Sequence, residues 1–279
     1  MICLVLAVFF SSMISVMMRI GERRCDSAMG MFVVNYFVCA ALSCLYAGRI
    51  AVYTPAPGIG LAIGLGCTAG LLFLLCFVLL RLNIRKNGMA MASTFMKLGV
   101  VISTLIAVFV FHETPRVPQL LGLLLAVVSI LMIHTDQDQA LTAPWKYLLP
   151  VLLFCGGVTD SMANVFDKVG DSALKDYYLF YTFAAALLCS LLIMLSKRER
   201  VGRRELIAGV MVGIPNYFST RFLLLALGEV SAVIVYPAVS AGTIILVALA
   251  GRVFFGETLS LRKRAALGVI ALALVLLNM

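Results

Sequence analysis

Charge is what this 279-residue chain has little of: Asp, Glu, Lys and Arg together make up 13% of it, about half the share of an ordinary soluble domain. That excludes a globular domain facing water on all sides. The chain has one Trp and two His, His112 and His134, and its His, Cys and carboxylate residues show no metal-ligand spacing, so we expect neither a metal nor another cofactor. A Gly-rich loop ending in Lys-Ser or Lys-Thr is also missing, which excludes a nucleotide-driven pump for this chain alone. Nothing supports catalysis, and an enzyme is not expected. The eight cysteines (Cys3, Cys25, Cys39, Cys44, Cys67, Cys76, Cys155 and Cys189) include no Cys-x-x-Cys and fall mostly in apolar runs. They read as small packing residues rather than as a disulfide framework.

What the chain has instead is apolar length. Hydrophobic residues make up 63% of it and mean hydropathy is +1.08, the profile of a polytopic membrane protein. The apolar runs predict ten spanning helices, at 2–18, 28–48, 58–80, 87–111, 117–133, 145–166, 177–196, 206–227, 230–255 and 264–278. The fold class is therefore all-α integral membrane. The first run lacks a basic leader segment and a small-residue cleavage signal, so it is expected to be a retained helix. The longest linker, His134 through Pro144, is the one acidic, polar stretch and joins two halves, 1–134 and 145–279, with 135–144 between them.

Net charge is +9, but the cations sit at helix ends, where lipid headgroups rather than nucleic acid are their partners. Of 22 Lys and Arg, 16 fall in the loops after the odd-numbered helices and four in those after the even-numbered ones; Lys97 and Arg221 remain inside helices. The positive-inside rule then puts the odd loops in the cytoplasm, with 197–204 as the main basic segment, and both termini outside a plasma (inner) membrane.

The two halves repeat one pattern. Ser12-Met13-x-x-Val16-x-x-Arg19-Ile20-Gly21 returns as Ser161-Met162-x-x-Val165-x-x-Lys168-Val169-Gly170, an offset of 149; Phe111-His112-Glu113-Thr114 returns as Phe255-Gly256-Glu257-Thr258, an offset of 144. Five helices per copy is an odd number, so the copies insert upside down relative to each other about an axis in the membrane plane. Two five-helix copies, each closing on Glu-Thr, a short loop and a final helix containing Gly122 or Gly268, resemble the EamA-type ten-helix branch of the drug/metabolite transporter superfamily. The resemblance covers the whole chain. It implies inverted five-helix repeats around a central cavity and transport of small polar metabolites or drugs. That family keeps its termini in the cytoplasm, opposite to the charge count here, and its signature assigns no role to Lys97 or Arg221.

An ionisable group deep in a spanning helix costs several kcal/mol to insert and is a functional candidate by default. Lys97 lies about ten residues from either end of the fourth run, with Ser93 and Thr104 on its side. It reads either as an anchor for a substrate carboxylate or phosphate, or as a structural Lys paired with Asp160 or with carbonyls. Arg221, with Tyr217 one turn earlier, Asn216 and Thr220 beside it and Pro215 loosening the helix, suits bidentate recognition of a planar anion; the alternative is snorkelling to the interface. Ser11, Ser15 and Arg19 in the first helix match Asp160, Asn164 and Lys168 in the sixth, each set on one face. Asp160 is the deep carboxylate of the sixth run, where low dielectric raises a carboxyl pKa, so it is a candidate proton site or else an ion-pair partner of Lys97 or Arg221. In the ninth run Tyr236-Pro237 and Ser240 are candidate cavity-wall residues. Glu113 and Glu257 are expected to cap the helix that follows each of them.

Together these features predict a monomeric secondary active transporter, more an exporter than an importer, of a small anionic or zwitterionic metabolite such as an amino acid, working by alternating access. A proton-coupled exporter of cationic or aromatic drugs is the alternative transport reading. A non-transporting membrane sensor or assembly partner is the alternative from another class, disfavoured because a scaffold has no need of buried polar residues on both copies.

Overall fold

The computed structural model describes residues 2–22, 25, 27–46, 56–87, 89–134 and 147–255, together with positions 265, 268, 269, 272, 273, 275 and 276. Among these residues the chain is helical: α1 Ile2–Glu22, α2 Ala28–Tyr46, α3 Ile59–Asn87, α4 Met89–Phe109, α5 Val117–His134, α6 Leu148–Val169, α7 Lys175–Ser196, α8 Arg203–Leu227 and α9 Ala232–Phe255, with a single 3-10 turn at Ser172–Leu174 before α7. The described positions of the predicted tenth run are helical too; its remaining positions and the 135–144 linker lie outside the described residues. Five segments, 29–46, 59–80, 148–169, 172–196 and 203–227, are long and apolar enough to cross a membrane, and shorter apolar stretches run through 2–18, 98–109, 117–129 and 232–247. The chain is an integral, multi-pass membrane protein.

Several helices outrun their hydropathy windows. α3 continues from residue 80 to Asn87 through Arg81, Arg85 and Lys86, and α1 continues to Glu22. Hydropathy marks only the stretch that hydrocarbon demands, whereas the backbone ladder continues for as long as good helix formers follow.

The helices pack into two compact units. One contains Ile2–Leu74 and Val165–Ala226, the other Leu75–Asn164 and Leu227–Met279. The sequence halves are thus not the packing units, since each unit draws helices from both.

In the first unit α2 and α7 lie together around Tyr36, Phe183 and Tyr217, each with 0% of its surface exposed, and Phe166 stacks on Tyr178 at 4.3 Å between centroids. Glycines bring two further helices to backbone contact. A Cβ placed on Gly66 of α3 would sit 2.8 Å from the Tyr178 carbonyl and 2.9 Å from Tyr181 Cβ, and one on Gly70 would collide with the Thr182 carbonyl and lie 2.9 Å from Ala185 Cβ. On α8, a Cβ on Gly209 would lie 2.8 Å from the Met31 carbonyl, and one on Gly213 2.9 Å from both the Asn35 carbonyl and Val38 Cβ. Where no hydrophobic force separates helix from lipid, such close approach supplies much of the dispersion energy of association. The basic end of this unit is tied by carboxylates: buried Glu205 accepts from the backbone N–H of Ser27 at 3.2 Å and of Gly202 at 3.1 Å, and Ser27 donates its hydroxyl to Glu199 at 2.5 Å.

In the second unit α4, α5 and α9 pack together, and α4 meets α6 where Gly99 faces Gly157, a Cβ on Gly99 lying 2.9 Å from Gly157 N. Cys76, Leu152 and Cys155 form a small buried cluster with Leu79, Leu80 and Met96 against it, in keeping with cysteine as a packing residue. Asn83 donates its amide to the Leu148 carbonyl at 3.0 Å and joins α3 to α6.

Candidate functional site

α8 builds the most developed polar centre. Tyr217 and Arg221 are four residues apart and share a helix face. Arg221 donates from Nη1 to Tyr217 Oη at 2.8 Å and, in an ion pair, to Asp176 Oδ1 in the first turn of α7. Its guanidinium carbon lies 4.7 Å from the centre of the Tyr46 ring of α2 and 6.0 Å from that of Tyr217. Tyr217 is fully buried while Tyr46 is half exposed. The Arg221 and Asp176 side chains keep 21% and 30% of their surface exposed, so the pair is reachable by solute. Its own contribution to stability is modest, about 1 kcal/mol or less for a pair that stays partly exposed.

An aromatic wall continues from this centre. Phe10 of α1 stacks on Phe218 at 5.2 Å and on Phe222 at 5.7 Å, and Phe218 meets Tyr46 and Tyr217 edge-on at 5.8 and 5.4 Å. All three Phe are half-buried. A guanidinium fixed by a phenol, a carboxylate and a ring face is pre-organised, which lowers the entropy lost when it takes a ligand.

The residues singled out from the sequence fall in several environments. Asn216 is buried and donates to Asn35 Oδ1 at 3.2 Å, joining α8 to α2, while Cys39 donates to the Gly213 carbonyl at 3.2 Å in the helical turn that Pro215 interrupts. Ser15 turns its hydroxyl back onto the Ser11 carbonyl at 3.4 Å. In the second unit Tyr236 donates its hydroxyl to the Asp160 backbone carbonyl at 2.7 Å, bridging α9 and α6, and Ser240 is half-buried one turn on. Asn164 is 1% exposed, and among the described residues neither of its amide atoms has a hydrogen-bond partner. Asp160 itself is exposed, and it is its backbone carbonyl that Tyr236 engages. Lys97 belongs to α4, but its side chain, like that of Arg19, lies outside the described residues.

Asp176 and Tyr46 were not visible as site residues in the sequence. Both sit at helix termini just outside or at the edge of the apolar runs, where a carboxylate or a Tyr reads as interfacial. The available signal was the capping bias that places an acidic residue in a first helical turn.

Glu113 is placed differently from expectation. It accepts from Ser231 Oγ at 2.6 Å and from Val233 N at 3.3 Å, so it caps α9 rather than the following helix α5. The chain leaves α4 through His112, whose φ is +53°, with Glu113 N bonded back to the Ala107 carbonyl. That turn swings the carboxylate away from α5, whose first turn is closed instead by Gln119 Oε1 accepting from Arg116 N at 2.9 Å. Glu257 lies outside the described residues.

Comparison with known proteins agrees with this architecture. A solved crystal structure superposes with a TM-score of 0.75 over 99% of this chain and 94% of the other, at 15% sequence identity, which establishes the fold. An uncharacterized protein of Haemophilus influenzae is 24% identical over 206 residues, covering 72% of this chain and 69% of that protein. Residues 1–135 match the model of the EamA-like transporter family. That segment, just under half of the chain, is similar to the EamA-like transporter family, which is part of the drug/metabolite transporter superfamily.

Proposed function

We propose that this protein is a secondary active transporter, working as an exporter, of a small anionic or zwitterionic metabolite such as an amino acid. The observation that carries the substrate class is Arg221: a reachable guanidinium, fixed by Tyr217 and Asp176 and lying against Tyr46, at the edge of an aromatic wall. In this reading Tyr217 and Arg221 bind the solute, with Lys97, Asn164, Asn216, Tyr236, Ser240 and Ser15 as further contacts along its path, and Asp160 couples proton movement.

Inverted five-helix repeats are one architecture on which alternating access is built, and the glycine contacts support them here. Gly209 and Gly213 follow Gly66 and Gly70 by 143 residues, while Tyr178 and Thr182 follow Met31 and Asn35 by 147. Contact of α3 with α7 thus has its counterpart in contact of α8 with α2, residue for residue. An exchange of this kind is what a twofold axis relating helices 1–5 to helices 6–10 produces.

The test is solute exchange in proteoliposomes loaded with a mixture of amino acids and small carboxylates. We expect labelled solute to enter against loaded vesicles well above protein-free controls, and Lys97→Ala to lower that rate about tenfold through loss of one charge contact. Uptake no faster than in protein-free vesicles sinks the transporter reading. For orientation, the 16-to-4 distribution of cations supports a reading with both termini outside the plasma membrane. A C-terminal reporter that fluoresces only in the cytoplasm should stay dark, and a bright signal reverses the assignment.

A further inference from the structure

The charge at the Arg221 centre is balanced, and the balance narrows the substrate class. Both hydrogen bonds of Arg221 leave from Nη1, and Asp176 receives its own through Oδ1. Among the described residues nothing engages the Nε–Nη2 edge of the guanidinium or Asp176 Oδ2, and covalent geometry keeps these two open edges within the span of one small molecule. A lone Arg selects anions. An Arg already paired with a carboxylate is net neutral, and adding a monoanion would leave two carboxylates sharing one guanidinium in a half-buried, ring-lined setting, a net negative charge that such surroundings solvate poorly. A zwitterion keeps the sum at zero.

We propose that Arg221 and Asp176 form a zwitterion receptor, in which the carboxylate of an α-amino-acid-type solute takes the Nε–Nη2 edge of Arg221 and its ammonium takes Asp176. Asp176 is then the residue that selects dipolar solutes over simple anions. The inference rests on the reading of Arg221 as a carboxylate site and adds a second pole to it. A planar bidentate fork suits the carboxylate. The stacked rings of Phe10, Phe218 and Phe222 offer an apolar surface for the solute's side chain.

The experiment titrates the full-length purified protein with matched trios: L-leucine, 4-methylpentanoate and 3-methylbutylamine, and L-phenylalanine, 3-phenylpropanoate and 2-phenylethylamine. The amino acid of at least one trio should bind wild-type protein about tenfold or more tighter than its carboxylate or its amine, the worth of one charge-assisted contact. Asp176→Asn should reverse that order, weakening the amino acid while holding or strengthening the carboxylate, and Asp176→Glu should restore it. Melting temperatures without ligand verify that both variants fold; if Asp176→Asn does not, the wild-type order and Asp176→Glu decide. Wild-type preference for the carboxylate, or equal weakening of both by Asp176→Asn, overturns the zwitterion receptor. In that case carboxylate binding that Arg221→Gln abolishes would leave the anion site standing, whereas no binding from either trio would sink both.

Discussion

Arg221→Ala will leave a protein that inserts and folds but binds the carboxylate of its solute about thirtyfold or more weakly, and transport will fall with it. The magnitude follows from one bidentate charge-assisted contact, about 2 kcal/mol or more when partly desolvated. Stability should suffer less, because the Arg221–Asp176 pair is partly exposed and such pairs contribute about 1 kcal/mol or less. Arg221→Lys should not rescue binding. A single ammonium cannot hold Tyr217 and Asp176 and still present a planar fork, nor does it stack on the Tyr46 ring as a guanidinium does. Calorimetric titration alongside thermal melting separates the two effects: full binding in a stable Arg221→Ala protein would make Arg221 a structural residue, and a collapse in melting temperature would make the pair a fold determinant.

The sequence exposed the membrane character, the helix order and the Tyr217–Arg221 face because each is a local property: apolar length, helical period, a charge inside an apolar run. It hid what depends on contacts distant in the chain. Asp176 meets Arg221 across 45 residues and Glu113 meets Ser231 across 118, and one sequence shows a carboxylate at a helix end without showing which neighbour it faces. Glu113 illustrates the difference well. A carboxylate just before a helix reads as that helix's cap, yet the left-handed turn at His112 redirects it to α9. For Asp160, depth along the helix is countable in the sequence, but the exposure of its side chain is set by neighbours distant in the chain.

Gly70→Ala and Gly213→Ala will each lower the melting temperature by several degrees and by similar amounts, while Gly64→Ala will leave it unchanged or raise it slightly. On the lipid-compatible face around Gly60 and Gly64 an added methyl meets nothing within 4 Å, so the only effect is the better helix propensity of Ala, at most about 1 kcal/mol. At Gly70 it runs into the Thr182 carbonyl, and at Gly213 it comes within 2.9 Å of the Asn35 carbonyl. Backbone cannot rotate out of the way as a side chain can, so the helices must separate, at a cost of about 1–3 kcal/mol for each site. Equal sensitivity follows from the matched contacts: α3 on α7 and α8 on α2 present the same two glycines to the same two carbonyl positions. Gly70→Leu with Gly213→Leu should go further and prevent recovery of folded protein from the membrane. Solubilised yield and melting temperature for the Ala series provide the measurement. If Gly64→Ala destabilises as much as Gly70→Ala, helix–helix approach is not what these glycines secure, and the pairing of α3–α7 with α8–α2 loses its energetic meaning.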